Sequence, residues 1–175
     1  MIKAIEPLGK HHRAAFSCGV TALDDWFHLR AGQDENRNVA RVFVAIDDQR
    51  RIVGFYSLSS FTLAIADLPP EYAKHLPRYD LIPAALIGRL ARDERVRGEG
   101  VGDLLLADAV HRVIGASRSL AVFVIVVEAT DEKAAAFYCD FGFKPFPSRP
   151  LRLFMPASEA AEAVSRALSS DAGLR

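Results

Sequence analysis

The chain has little of what staples or metallates a small protein. Its two cysteines, Cys18 and Cys139, lie far apart in 175 residues. That argues against a disulfide framework and for free thiols in a reducing compartment. The five histidines, His11, His12, His28, His75 and His111, show neither metal-ligand spacing nor a paired acid, so they are assigned to surface or packing and no metal is expected. Charge of either sign is not in excess. With 22 basic and 22 acidic side chains the formal net charge is +0, so a nucleic-acid partner would need a local basic face in place of a global field. Long apolar runs are missing as well. The longest, Leu120 to Val127, falls far short of the roughly 20 residues that span a bilayer, and the start MIKAIEPLGKHHR has no apolar signal segment. A cytoplasmic protein with no membrane partner is expected.

What is present suits a folded enzyme-sized domain. Half the residues are hydrophobic and a quarter charged, enough for one sizeable core. The spacing of Leu23, Trp26, Phe27 and Ala31 predicts a helix over 21–38, capped by Thr21 or Asp24. RVFVAI (41–46) and IVGFYSLSS (52–60) predict an antiparallel hairpin. Prolines make 67–83 a loop with room for one short helix over 71–76. AALIGRLA (84–91) predicts a strand buried on both faces. Residues 104–114 predict a mostly buried helix with Asp108 and Arg112 on its wet face. LAVFVIVVE (120–128) is the clearest strand, followed by a helix over 132–139 capped by Thr130 and Asp131 and ending near Gly142. Arg152–Met155 predicts a last strand. Residues 1–156 read as one α/β domain, and 157–175 as an Ala/Ser-rich tail that forms a marginal helix or frays.

Between the apolar strand and the buried helix lies RVRGEGVG (95–102), with glycine at every second position. A strand entering a helix through glycines offers free backbone N–H groups and the positive end of the helix dipole at one point, which suits an anion. A triphosphate loop needs Gly-Lys-Ser/Thr, but Asp103 and Leu104 follow Gly102. A dinucleotide fingerprint wants G-x-G-x-x-G, but Gly98, Gly100 and Gly102 are spaced G-x-G-x-G.

A third turn fits. Arg97 to Gly102 resembles the Arg/Gln-x-x-Gly-x-Gly/Ala turn of the GNAT N-acetyltransferases, and LIGRLARDERVRGEGVGDLLLADAV is similar to that family's cofactor motif throughout. Downstream, DEKAAAFYCDFGF (131–143) resembles the family's Asn-x-x-Ala-x-x-Phe-Tyr-x-x-x-Gly-Phe segment, with Asp131 where Asn is usual. FSCGVTALDDWF, GFYSLSS, LPRYDLIPAALIGRLARDERVRGEGVG and the final LFM are similar to the toxin branch of the family, from about Phe16 to Met155.

The resemblance implies a GNAT fold, a mixed and mostly antiparallel sheet with helices on both faces. It implies acetyl-CoA as cofactor, held by Leu90, Ala91, Arg92, Arg97, Gly98, Gly100, Val101, Gly102, Asp103, Asp131, Ala134 and Phe137. A main-chain N–H of 90–92 would polarise the thioester carbonyl, and Tyr138 would protonate the departing thiolate. The substrate it implies is the α-amine of an aminoacyl group on charged tRNA, whose acetylation blocks translation, with a ribbon-helix-helix antitoxin as partner. Homodimerisation stays open. Arg30, Arg37, Arg41, Arg89 and Arg95 are the arginines assigned to the tRNA; solvated surface charges are the alternative. An α-amine near pKa 7.7–8.0 already supplies neutral nucleophile at physiological pH, so a strong base is optional. Glu128 is the one carboxylate considered for that role, and strand-end carboxylates are more often structural. Acetylation of a small-molecule or protein amine, and a catalytically silent CoA-binding module, are the alternatives.

Overall fold

In the computed structural model, which describes residues 1–76 and 78–172, seven strands and six helices follow the chain. The strands are β1 (Ile2–Pro7), β2 (Arg41–Asp47), β3 (Ile52–Ala64), β4 (Leu81–Arg92), β5 (Val124–Glu128), β6 (Lys144–Phe146) and β7 (Arg149–Pro156). The helices are α1 (Thr21–Leu29), α2 (Ala31–Asn36), α3 (Pro70–Ala73), α4 (Val101–Ala116), α5 (Glu132–Phe141) and α6 (Ala157–Ala172). The strands form a mixed sheet in the order β1-β2-β3-β4-β5-β7-β6. The chain divides into two compact units, Met1–Ser59 with Gly88–Ala109, and Ser60–Ile87 with the residues from Val110 on.

In the first unit β1 pairs antiparallel with β2, and β2 with β3, through partners such as Ile5↔Ala45 and Val44↔Phe55. Alternation along β3 sends neighbouring residues to opposite faces. The Phe55 ring stacks on Phe27 of α1 at 4.1 Å and 3°, in a cluster with Phe16, Trp26, Val42, Val44 and Ala91. On the other side, a Cβ added at Gly54 would stand 2.6 Å from Leu105 Cδ1 of α4 and 3.2 Å from the Ala91 carbonyl. Only glycine lets α4 lie this close to the sheet.

In the second unit β4 runs parallel to β5 from Ala84↔Val124 to Ile87↔Val127. β5 then pairs antiparallel with β7, and β7 with β6. Val124, Val126 and Phe154 share a cluster with Leu63, Ile82 and Phe146. Met155 instead comes within 3.1 Å of a Cβ built on Gly142, beside Ala163 of α6.

Several expectations need correcting. The helix over 21–38 is two helices, broken at Arg30 (φ −121°). Neither Thr21 nor Asp24 caps it; the N-cap is Val20 with no side-chain bond, and Asp24 reaches back to the Cys18 N–H at 2.9 Å and the Ser17 hydroxyl at 3.2 Å. The strand over 120–128 begins only at Val124, because Leu120 still donates to the Ala116 carbonyl of α4's last turn. β4 is not buried on both faces: Leu86, Arg89 and Leu90 are half-buried. Asp108 is not on a wet face either, since fully buried Tyr56 donates its hydroxyl to that carboxylate. β1 and β6, too short or too polar to show a period, had no signal. The tail forms α6, seated through buried Ala160 and Ala163; residues 173–175 lie outside the described residues.

Candidate active site

β4 ends on Arg92, and the corner that follows, beginning at Asp93, is held from inside. The Asp93 carboxylate, 2% exposed, accepts from the Arg95 N–H at 2.9 Å, from Arg95 Nε at 2.8 Å and NH2 at 2.9 Å, and from the Ser17 N–H at 3.2 Å. Burial alone would raise its pKa. The hydrogen bonds and charge of Arg95, with the Ser17 amide, outweigh that and hold it below the ordinary carboxylate range. Glu94 N–H returns to the Ser17 carbonyl at 2.9 Å, so residues 17–19 are strapped to the corner.

The glycine turn follows. Gly98 (φ +82°) and Gly100 (φ +76°) occupy left-handed backbone, which a side chain disfavours by about 1–2 kcal/mol. Nothing lies within 4 Å of a Cβ built on Gly98, so the surface there is open. Among the described residues the N–H groups of Gly98, Gly100, Val101 and Gly102 have no protein acceptor. They gather at the start of a sixteen-residue helix, the geometry expected of an anion cradle. Among the described residues the paired register of β4 with β5 runs from Ala84 to Ile87, and β4 itself continues to Arg92. Leu90, Ala91, Arg92 and Arg97 to Asp103 lie in one continuous segment of the first unit.

Asp131, Ala134, Phe137 and Tyr138 lie in the second unit, on and before α5. Asp131 caps the helix, its Oδ1 accepting the Ala134 N–H at 2.8 Å, and Gly142 (φ +128°) ends it. Tyr138 is 6% exposed, its ring 5.2 Å from that of Phe137 and 5.9 Å from that of Phe143. Its hydroxyl has no protein partner among the described residues, where no side-chain polar atom is buried without one. The hydroxyl is thus the open end of a buried ring. Burial pushes the phenol up to about 12, so it keeps its proton at any physiological pH.

The other candidates separate by their partners. Arg41 pairs with Glu35 at 2.7 Å, Arg95 is bound to Asp93, and Arg89 lies over the Trp26 ring. Arg30 and Arg37 are exposed. Glu128 receives Arg152 Nε at 3.0 Å, an ion pair across β5 and β7. His11 bonds Glu6 at 2.7 Å and His28 the Phe16 carbonyl at 2.8 Å. Burial pushes the Cys18 thiol up to about 11, away from thiolate chemistry. Among the described residues no group of three potential metal ligands occurs, and no helix is long and apolar enough to cross a membrane. Sequence reasoning missed Trp26, Asp93 and Ser57 as supports, because each contributes through a partner distant in the chain.

Residues 38–145 match the family model for the acetyltransferase (GNAT) domain. The chain belongs to the GNAT acetyltransferases. Relatives of this GNAT chain include the tRNA-acetylating toxin of Mycobacterium tuberculosis, 38% identical over 83% of the chain and 86% of the relative. Among solved structures it is similar to AtaT complexed with acetyl-methionyl-tRNAfMet, with TM-score 0.84, 29% identity and coverage of 91% and 97% of the two chains. It is also similar to a mutant AtaT toxin bound to the C-terminus of the antitoxin AtaR and acetyl-CoA, with TM-score 0.77, 25% identity and coverage of 91% and 96%.

Proposed function

We propose that this GNAT protein is an acetyl-CoA-dependent toxin that acetylates the α-amine of the aminoacyl group on charged tRNA and so stops that residue from accepting a peptide. The observation that carries the reading is the set of unsatisfied amides of Gly98, Gly100, Val101 and Gly102 at the head of α4, in a chain similar to a tRNA-acetylating toxin along most of its length. The residues present fit the coenzyme. Gly98 leaves open surface, and the left-handed turn at Gly98 and Gly100 presents N–H donors for a diphosphate. When bound, acetyl-CoA supplies the activated acyl thioester.

The chain's own residues do the rest. Gly98, Gly100, Val101 and Gly102 bind the diphosphate through main-chain donors, and Arg97 adds a positive charge at the same turn. A main-chain N–H of Leu90, Ala91 or Arg92 polarises the acyl carbonyl. Asp131 and Ala134 fix the start of α5, and Phe137 packs beside Tyr138, whose hydroxyl holds the proton to be delivered to the leaving sulfur. The acceptor amine needs only to be neutral, and with a pKa near 7.7–8.0 a fair share of it is so at physiological pH. Glu128, tied to Arg152, has a structural role. Arg30, Arg37 and Arg89, with no ion pair among the described residues, supply the basic face for the tRNA, while Arg41 and Arg95 are held by Glu35 and Asp93. An antitoxin is the protein partner, and the cytoplasm, where charged tRNA is found, is the site of action.

The test is labelled acetyl transfer. Purified protein with acetyl-CoA labelled in the acyl group is offered total charged tRNA, a free polyamine and a lysine-rich peptide. Label on charged tRNA, recovered as an N-acetyl amino acid, is the expected result. Label on the polyamine or peptide alone would overturn the assignment of acceptor, and no uptake of acetyl-CoA would overturn the enzyme.

A further inference from the structure

The cofactor turn and Tyr138 leave a half-buried cation in the first unit without a use. The backbone N–H of Arg89 donates to Ser57 Oγ at 3.1 Å, and its guanidinium lies over the Trp26 indole, 4.3 Å from the ring centroid. Among the described residues no carboxylate forms an ion pair with it. The nearby acid, Asp34, accepts the Trp26 Nε1–H at 2.9 Å. Burial shifts the titration of Arg89 down, against the pull of Asp34, and the charge of Arg30 shifts it further. A desolvated cation normally needs an opposite charge. A ring face supplies attraction but neutralises nothing, and it leaves the N–H donors at the guanidinium's edge available to a planar or tetrahedral anion.

The anion's source follows from which side of the sheet Arg89 faces. Ala91, two residues on and so on the same face of β4, is in the cluster with Trp26 and Phe27. The glycine turn leads into α4, which packs on the other face through Leu105 and Gly54. A diphosphate at the head of α4 is therefore served from one side, and Arg89 opens on the side of α1. It lies about 7 Å along the strand from Ala91, at about 3.3 Å per residue, beside the strand end assigned to the thioester. In an aminoacylated RNA the first backbone phosphate is one ribose away from the ester.

Resting on the reading of charged tRNA as substrate, we propose that Arg89, stacked on Trp26, is the subsite for the phosphodiester nearest the aminoacylated end of the acceptor. Stacking pre-orders the guanidinium, so less rotamer freedom is lost when phosphate binds, and the planar fork can meet two phosphate oxygens at once. A lysine could do neither.

The experiment compares Arg89→Gln with wild type on two acceptors carrying the same amino acid: charged tRNA, and aminoacyl-adenosine, which has no phosphate. Acetyl-CoA affinity is measured alongside by calorimetry. The expected result is a KM for charged tRNA raised about tenfold, with the salt slope of tRNA binding reduced by about one, while the KM for aminoacyl-adenosine and the affinity for acetyl-CoA stay at wild-type values. An equal rise on aminoacyl-adenosine, a loss of acetyl-CoA affinity, or an unchanged KM for tRNA would each overturn the subsite. Should Arg89→Gln not fold, Arg89→Lys keeps a charge without the fork; a smaller rise confined to charged tRNA is then expected, and the same three outcomes overturn it. Wild-type transfer to charged tRNA, measured in the same series, separates failure of this subsite from failure of the proposed reaction.

Discussion

Tyr138 shows how one side chain combines packing and chemistry. Its ring is clamped between Phe137 and Phe143, and the same burial that packs it pushes its pKa to about 12, so it is a proton donor and not a base. Tyr138→Phe keeps the ring and removes the proton. It is expected to lower kcat by about a hundredfold or more with acetyl-CoA affinity unchanged, read by steady-state kinetics beside calorimetry. The pH profile follows from the same value. The rate should climb as the acceptor amine loses its proton near pH 8 and should show no descending limb until the phenol itself ionises near 12. Gly98 is a backbone case. Its side has open space, so Gly98→Ala meets no clash, and only the positive φ opposes it. A loss of about 1–2 kcal/mol in stability, seen as a lower Tm with weaker acetyl-CoA binding, is expected.

Among the elements, the corner after β4 joins the most parts of the first unit. Asp93 binds Ser17 and Arg95 at once, and Asp24 of α1 holds Ser17 and Cys18 from the other side. The segment leading into α1 is therefore tied both to that helix and to the corner that precedes the glycine turn. Because the Asp93 pKa is depressed in the folded state, its contribution is fully present above the unfolded value near 3.9 and is lost as pH falls through the lower folded value. Asp93→Asn is expected to cost about 1–3 kcal/mol at neutral pH, with the difference from wild type narrowing on acidification below about pH 4. Thermal melts of both proteins from pH 7 to pH 3 would show it; parallel curves would refute it. The one-helix expectation for 21–38 failed for a related reason. The apolar spacing continues through Arg30, but tertiary demands bend the chain there, letting Asp34 of α2 reach the Trp26 indole while Glu35 accepts the Val42 N–H at 2.7 Å.

For the whole molecule, net charge +0 means that the polyanionic acceptor of the proposed reaction would be attracted by local arginines against a neutral background, not by a global field. Association with charged tRNA should therefore weaken steeply between 50 and 200 mM salt in the manner of a few phosphate contacts, while acetyl-CoA binding, resting on main-chain amides, should respond less; filter binding and calorimetry across that range would compare them. The glycine turn and the Asp131 cap were legible in the sequence because each is a local pattern whose spacing is set by backbone geometry, and Phe137 and Tyr138 were marked by the resemblance of 131–143 to the family's segment. The hairpin of β2 and β3 follows from apolar period and run length in the same way. Where β5 begins, which face Asp108 takes, and the stacking of Arg89 on Trp26 were not legible. The start of β5 is set by how far α4's last turn runs, and the other two depend on partners tens of residues away; one-dimensional spacing carries no record of which distant side chain arrives at a given face. The sequence by itself determined the chemistry on offer, since N–H groups and a phenol follow from residue type and local backbone. Only the tertiary structure decided which charges are spent on ion pairs and which stay desolvated and open, because burial and pairing are properties of the packed chain.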